Sequence, residues 1–300
     1  MSQKTWLGYL FILPAVVLIV FFLIYPTIRT IQLSFDTGMG FTTTEFVGLQ
    51  HYVNLFTRDR LFFDISSWPP SGAVFNTILW LILFTFGTVG VGLFVAVLAN
   101  SVRYEVLIKT IIFVPMAISF TAAGIIWRFV YSPDPNSGIL NALLVGLIPS
   151  ATPIPWLGRV DIVNYALIIA GIWLWTGFCM VIISAALKGL PTEVLEAAKV
   201  DGANPWQSFW RVTFPMLWPT ILVITTTMII NVLKAFDLVY IMTQGGPRGA
   251  SRVIGFSMYW ETFQNGKPGY GAAIAVIMLI LVTPFVIINI RRYRREERER

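Results

Sequence analysis

The feature that most constrains this chain is a series of six stretches of about twenty residues that are almost entirely apolar. A helix of about 20 apolar residues is long enough to cross the ~30 Å hydrocarbon core of a lipid bilayer. Backbone polar groups in hydrocarbon must bond within the chain, so each stretch is expected to be helical. The predicted transmembrane helices span residues 6–25, 74–98, 108–130, 163–187, 220–242 and 272–290.

The composition of the 300-residue chain also indicates a membrane protein. Apolar residues make up 56% of the sequence and charged residues only 12%, whereas soluble domains carry roughly 25% charged residues. So little charge cannot coat a soluble globule of this size. Tyr25-Pro26, rather than a small-residue cleavage site, follows the first stretch, so we expect a retained helix and not a signal peptide. The predicted fold class is all-α, with a single polytopic membrane domain over residues 1–300.

Residue counts exclude several kinds of active site. The chain has one cysteine, Cys179, and one histidine, His51, so cysteine-rich or paired-histidine metal sites are excluded. A phosphate-binding loop requires Gly-x-x-x-x-Gly-Lys-Ser/Thr, but the one Gly-Lys pair, Gly266-Lys267, is followed by proline. His-Glu-x-x-His and Gly-x-Ser-x-Gly are absent as well. The chain is therefore not expected to be an enzyme or to bind a metal.

Basic residues predict the orientation, because cytoplasmic loops of membrane proteins are enriched in lysine and arginine. Six of the 21 basic residues lie in residues 291–300, directly after the sixth stretch. This tail is expected in the cytoplasm, and an even number of spans places the N-terminus there too. Residues 188–219 then form the main cytoplasmic loop.

This loop has the sequence signals of two short helices. Thr192 is predicted to cap a helix that Gly202 ends in the left-handed conformation. Asn204 is predicted to cap a second helix that Pro205 begins. Pro215, together with Pro219, is expected to end it before the fifth span. The residues alone allow two interpretations: a loop packed on its own helix bundle, or a docking element for a soluble partner.

One pattern in this loop is specific to a family. Glu196-Ala197-Ala198 is followed after three residues by Gly202, and after nine more by Val212-x-Phe214-Pro215. It resembles the EAA loop of ABC importer membrane subunits, with Val212 and Phe214 as conservative departures. Further stretches resemble the sugar-importer branch, of the MalF/UgpA type: Tyr25-Pro26, Phe46-Val47-Gly48-Leu49, Phe236-Asp237, Thr243-Gln244-Gly245-Gly246-Pro247 and Gly269-Tyr270-Gly271.

The resemblance implies the type I ABC importer permease fold and a subunit of an ATP-driven sugar importer in the cell membrane. Its implied partners are a second six-span permease, two copies of a cytoplasmic ATPase and an extracytoplasmic sugar-binding protein. The chain itself would need no cofactor, because the partner ATPase would bind and hydrolyse ATP. The residues implied in coupling to that ATPase are Glu196, Ala197, Ala198, Asp201, Gly202 and Pro215.

Polar and aromatic residues within the spans are candidates for a substrate pathway, since sugars need hydrogen-bonding groups and aromatic faces. Asn231 lies about 17 Å along the predicted fifth helix, near the centre of the bilayer. A buried asparagine there needs partners, which could be substrate or another helix. The pathway candidates are Trp173, Trp175, Thr176, Thr227 and Asn231.

A structural or gating role is expected for two further sets. Lys234 and Asp237 are predicted to lie three residues apart on one helix, where they could form an ion pair. Gly245-Gly246-Pro247 is predicted to form an external turn that could contact the binding protein. Three alternative functions remain open: an importer of the same architecture for another small solute, an ion-coupled secondary transporter, and an intramembrane enzyme.

Overall fold

The computed structural model describes residues 5–38, 45–66 and 68–298, and it describes side chains for all of these except residues 5–9, 289 and 292–298. The last two residues of the basic tail thus lie outside the described residues. Three π-helical turns, Val20–Ile24, Phe209–Thr213 and Trp260–Gln264, interrupt the α-helices. The α-helices are α1 (Thr5–Ile19), α2 (Tyr25–Leu33), α3 (Gln50–Thr57), α4 (Ala73–Asn100), α5 (Glu105–Ala117), α6 (Phe120–Val130), α7 (Ile139–Leu147), α8 (Val163–Lys188), α9 (Thr192–Val200), α10 (Pro205–Ser208), α11 (Phe214–Leu233), α12 (Asp237–Met242), α13 (Ile254–Tyr259) and α14 (Pro268–Arg298).

The all-α polytopic architecture is confirmed. Within the described residues, five helical stretches are long and apolar enough to cross a membrane, and a bent helix pair could make a sixth span. The five are Leu10–Leu33, Ala73–Asn100, Val163–Lys188, Pro205–Leu233 and Pro268–Ile288.

The third predicted span differs from the straight helix expected over residues 108–130. It consists of α5 and α6, which meet at an angle of 103°. Ile118 and Ser119 between them have extended backbone conformations, and the Ser119 hydroxyl accepts a hydrogen bond from the Ala122 N–H at 3.1 Å. Ser119 thus caps a new helix in the middle of an apolar stretch. Hydropathy does not reveal this break, because the residues on both sides of it are apolar.

The prolines that bound the predicted first span and the predicted loop helix do not end a helix in the structure. Helix continues past Tyr25-Pro26 to Leu33, and helix that begins at Pro205 continues past Pro215 and Pro219. Pro26 and Pro215 are each the second residue after a π-helical turn, where the backbone bonds shift from i→i−4 to i→i−5. A missing N–H is tolerated at such a rearranged position, so a proline there does not end the helix.

The chain divides into two compact units, each considered separately: residues 1–60 with 257–281, and residues 61–256 with 282–300. In the second unit, α4 and α8 form the most extensive helix contact. Glycines let the backbones approach there: a Cβ atom on Gly92 would lie 2.6 Å from the Cβ of Cys179. One on Gly177 would lie 2.6 Å from the carbonyl oxygen of Ile112 in α5. Small residues at such contacts are typical of membrane helix packing.

In the first unit, polar side chains hold the segment around α3 in place. The Tyr52 hydroxyl donates to the Ser34 hydroxyl at 2.7 Å, and the Tyr270 hydroxyl donates to Asp59 at 3.0 Å. The ring of His51, the one histidine of the chain, hydrogen-bonds to the Asp36 carbonyl oxygen at 2.9 Å and packs edge-on against Tyr270. His51 therefore has a structural role.

Replacing Gly177 by alanine should destabilise the protein. The new Cβ would press on backbone atoms of α5, which cannot rotate away, and overpacking of this kind costs about 1–3 kcal/mol. Thermal unfolding in detergent would measure the loss. Gly90→Ala is the matched control, because no atom lies within 4 Å of the added Cβ. Equal melting temperatures for the two variants would contradict the close contact between α5 and α8.

Candidate functional site

The first part of the loop between α8 and the fifth span has the expected helix–turn–helix form. α9 is followed by Gly202, whose φ of +78° lies in the left-handed region. Asn204 caps the next helix: its side chain accepts from the Gln207 N–H at 2.8 Å, and the Gln207 side chain accepts from the Asn204 N–H at 3.1 Å. Thr192 differs from its prediction, since it is the first helical residue and Pro191 occupies the cap position.

The second helix of this loop does not end before the membrane. It begins at Pro205 and continues as helix, through the π-helical turn Phe209–Thr213, to Leu233. The loop is therefore joined to the fifth span as one rod of about 43 Å, at 1.5 Å per residue. Pro215 is an exposed residue within this rod rather than its end.

The two faces of α9 have different environments. Ala198 is buried, and Leu195 and Lys199 line a cavity of about 590 Å³ that also borders the ends of α4 and α8. Glu196 and Ala197 are exposed. Asp201 and Gly202 are exposed as well, and a Cβ on Gly202 would meet no atom within 4 Å. The glycine is thus required by the backbone conformation and not by packing.

A polar cluster that the sequence analysis missed lies where α8 leads into this loop. Lys109 contacts Glu105 and Ser184 and donates to the Asn100 side-chain oxygen at 2.6 Å. Lys188 also bonds to Glu105, at 2.7 Å. The cluster joins α4, α5 and α8 through side chains that are mostly shielded from solvent. The spacing of Glu105 and Lys109, four residues apart at a helix start, could have revealed it.

A second candidate site lies where the fifth span breaks. α11 ends at Leu233 and α12 begins at Asp237, so three residues interrupt the helix. A cavity of about 300 Å³ opens at this break. Five aromatic side chains line it, and its polar side chains lie in the break or within three residues of it. The side chains that matter here are Trp80, Phe84, Phe120, Trp175, Asn231, Lys234 and Asp237.

The structure corrects the expected arrangement of the polar residues at this cavity. Lys234 and Asp237 lie on opposite sides of the break and not on one helix. Both side chains are exposed, and no ion pair or side-chain hydrogen bond holds either of them within the described part of the chain. The prediction that Asn231 lies in the middle of a continuous helix is wrong, because Asn231 lies in the last turn of α11.

The pathway candidates divide into two groups. Trp175 and Asn231 line the cavity. Trp173 instead packs edge-on against Trp127, with ring centroids 5.7 Å apart. The hydroxyls of Thr176 and Thr227 donate to carbonyl oxygens of their own helices, at 2.7 and 3.0 Å. Trp80, Phe84 and Phe120 were missed, because single aromatics in apolar helices carry no signal of the face they occupy.

The glycine turn after α12 is present, and part of it is buried. Gly245 has a φ of +78° and is buried against the side chains of Arg252 and Phe256. The Ser251 hydroxyl donates to the Gly246 carbonyl oxygen at 2.6 Å. Gly246 and Pro247 are partly exposed. Contacts with Arg252, Phe256 and Ser251 therefore hold the turn in place, and a partner could reach Gly246 and Pro247 but not Gly245.

The polar cluster yields a stability prediction. Lys109→Met should lower the unfolding temperature clearly, because Asn100 and Ser184 would lose a shared, partly shielded partner and Glu105 would keep only Lys188. Lys188→Met is the matched control: it removes a second amine from Glu105, but its side chain is 60% exposed, so the expected loss is below about 1 kcal/mol. Unfolding temperatures in detergent would compare the two, and a larger loss for Lys188→Met would contradict this assignment.

Comparisons with known proteins agree with this architecture. Residues 88–295 match the family model described as "Binding-protein-dependent transport system inner membrane component". The chain is 46% identical to the osmoprotective compounds uptake permease protein GgtC of Synechocystis sp., over 97% of this chain and 100% of that protein. It is 39% identical to the alpha-glucoside transport system permease protein AglF of Rhizobium meliloti, over 98% and 84%.

A solved structure has the same fold. A chain of a bacterial ABC transporter involved in the import of the acidic polysaccharide alginate superposes with a TM-score of 0.81 at 23% identity, over 97% of this chain and 96% of that one. The expected ABC importer permease fold is thereby confirmed. The chain is a multi-pass membrane protein, and it belongs to the family of inner membrane components of binding-protein-dependent transport systems.

Proposed function

We propose that this chain is the pathway-forming subunit of an ATP-driven, binding-protein-dependent importer of a small neutral sugar. The observation that carries the proposal is the pairing of two features on one rod. An exposed helix–turn–helix element lies at one end of Pro205–Leu233, and an aromatic-walled cavity lies at the other. The membership in the transport family and the relative named for alpha-glucoside transport support it.

The broken helix supports a water-filled pathway at the cavity. Irregular backbone at membrane depth is tolerated only where protein buries it or where it lines an aqueous cavity. Exposed charges such as Lys234 and Asp237 would be costly against lipid, but they are stable beside water or a partner subunit. The break is therefore the part of the span best suited to line a route for a polar solute.

The chemistry of the cavity favours a neutral sugar. The indole of Trp175 offers an aromatic face, and the Asn231 amide can both donate and accept hydrogen bonds. Lys234 and Asp237 carry opposite charges, so these two residues give the cavity no net charge to attract an anion. The volume of about 300 Å³ lies at the lower end of ligand pockets. Trp173, Thr176 and Thr227 lie outside this cavity, and we limit the proposed contacts to Trp175 and Asn231.

For the other end of the rod, we propose coupling to an ATPase through α9. The accessible residues are Glu196, Ala197, Asp201 and Gly202, whereas Ala198 is buried on the other face of the helix. The sequence has no phosphate-binding loop, so ATP would be bound and hydrolysed by the partner, in two copies. Pro215 would begin the part of the rod that follows the π-helical turn. The loop and both termini would then lie in the cytoplasm.

Two further partners fit exposed parts of the chain. Leu10–Leu33 is an apolar helix with none of its residues buried within the chain, as expected for a surface that a second six-span permease or lipid covers. Gly246 and Pro247 are partly exposed and are proposed to meet an extracytoplasmic binding protein. A related importer for another small solute is the second candidate, favoured by the relative named for osmoprotective compounds.

The direct test is reconstitution of the co-purified transporter in proteoliposomes with its ATPase and binding protein. Uptake of radiolabelled trehalose, maltose and lactose would be measured with and without ATP. ATP-dependent uptake of one of these sugars would support the proposal. ATP-dependent uptake of a non-sugar osmolyte alone would favour the second candidate, and uptake driven by an ion gradient without ATP would contradict both.

Glu196→Lys should abolish coupling without preventing assembly. Reversing one member of an interface charge pair is expected to weaken docking on the order of tenfold or more, whereas an exposed side chain contributes little to folding. Uptake and ATPase co-purification would be measured together. Glu193→Lys is the matched control, since it makes the same charge change on the same exposed helix. Equal defects in both variants would show a general charge effect and not a specific contact.

Asn231→Ala should raise the KM for sugar uptake about fivefold, the effect of losing roughly one hydrogen bond of 1 kcal/mol. Thr227→Ala, one turn earlier on the same helix, should leave KM unchanged because the Thr227 hydroxyl bonds to its own helix. Initial uptake rates over a range of sugar concentrations give both values. An unchanged KM for Asn231→Ala would remove this residue from the pathway.

A further inference from the structure

Two asparagines connect the aromatic wall of the cavity to the segment that follows α12, residues 243–253. We propose that Asn164 is a positioning residue: it holds the indole of Trp80 in the cavity wall and, together with Asn76, ties it to that segment. The inference rests on the proposed function, because it assigns Trp80 to a substrate cavity.

The bonds of Asn164 fix the orientation of its amide. Asn164 lies at the start of α8 and is 7% exposed. Its nitrogen donates to the Ala250 carbonyl oxygen at 2.8 Å and to the Asn76 side-chain oxygen at 3.0 Å. An amide has its two donors on one atom and its acceptor on the other. These two bonds therefore turn the Asn164 oxygen towards Trp80.

Trp80 depends on this oxygen. The indole is 2% exposed, and its one polar group, the Nε1–H, donates to the Asn164 oxygen at 3.4 Å. A buried indole N–H needs an acceptor, so the bond selects one orientation of the ring. Trp80 and Phe84, one turn apart with ring centroids 6.0 Å from each other, form one wall of the cavity. The position of Asn164 thus sets the shape of that wall.

Asn76 completes the connection to residues 243–253. Its nitrogen donates to the carbonyl oxygens of Ala250 and Arg252, both at 2.8 Å. Within the segment, the Ser251 hydroxyl bonds to the Gly246 carbonyl oxygen at 2.6 Å and to the Thr243 hydroxyl at 2.8 Å. The turn that includes Gly246 is thereby part of the same bonded unit. A displacement of this unit would shift both asparagines through their hydrogen bonds and, through Asn164, the indole of Trp80.

A second set of contacts links the same segment to another residue that lines the cavity, Phe236. The Arg252 guanidinium carbon lies 5.9 Å from the centroid of the Phe256 ring, and Phe256 stacks on Phe236 at 6.2 Å. Phe236 lies in the break and lines the cavity. Residues 243–253 therefore contact both Trp80, through the asparagines, and Phe236, through Phe256, and the asparagine route consists of directional hydrogen bonds. We assign the positioning of the wall to that route.

The test measures sugar uptake by the complete reconstituted transporter, with trehalose, maltose and lactose as probes. Asn164→Ala and Trp80→Phe should each raise KM about fivefold, the effect of one lost hydrogen bond, with kcat little changed. The double variant should raise KM no further than Asn164→Ala alone, because Asn164→Ala already removes the bond that Trp80→Phe removes. Thr77→Val is the control: it removes the hydroxyl that accepts the Ile254 N–H at 3.1 Å without touching Trp80, and its KM should stay at the wild-type value.

Four results would overturn the assignment. Additive effects of Asn164→Ala and Trp80→Phe would show that the two residues act separately. An equal rise in KM for Thr77→Val would show a general loosening of the segment. A raised KM in Trp80→Ala with an unchanged KM in Asn164→Ala would leave the cavity as the substrate site and remove Asn164 from it. An unchanged KM in Trp80→Ala would remove the proposed site itself. Co-purification of all subunits with each variant separates these results from failed assembly.

Discussion

The structure depends on one constraint: backbone N–H and C=O groups cannot be left unbonded in hydrocarbon. Continuous helices such as α4 and α8 meet it with no further help. Where the helix stops within apolar sequence, other groups must satisfy the backbone. At residues 118–119, the Ser119 hydroxyl starts a new helix at once. At residues 234–236, the break is accompanied by charged side chains and a cavity. The two breaks differ in kind: the first bends a span, and the second lies beside the cavity that we propose to receive a polar molecule.

The close contact of α4 with α8 allows these breaks to be held in position. Gly92 and Gly177 bring helix backbones together, where any added Cβ would collide with a neighbour. The cluster around Lys109 joins the same helices at one end, and the pair Asn76 and Asn164 joins them at the other end. Apolar packing supplies little preference between one helix arrangement and another in lipid, so directional polar bonds at both ends fix the register.

The sequence predicted the positions of the apolar spans approximately, because hydropathy reflects membrane thickness directly, but five of the six predicted spans are single helices among the described residues and the third is a bent helix pair. It also predicted the left-handed Gly202 and the Asn204 cap, since each depends on a few neighbouring residues. It failed where a distant or subtle contact decides the outcome. The π-helical turns that carry helix past Pro26 and Pro215 have no clear sequence signal. The ion pair expected between Lys234 and Asp237 required an unbroken helix, and the pairing of Asn164 with Asn76 required a tertiary contact across 88 residues.

The continuous helix from Pro205 to Leu233 explains how the two candidate sites could act together. A helix of 29 residues is about 43 Å long, and it resists compression because its backbone bonds run along its axis. Its first residue lies three positions after Gly202, and its last residue borders the break at the cavity. A force applied to α9 would therefore reach the cavity as a movement of one end of a rod. The break at residues 234–236 separates this rod from α12, so the cavity could change shape while the core of α4 and α8 stays packed.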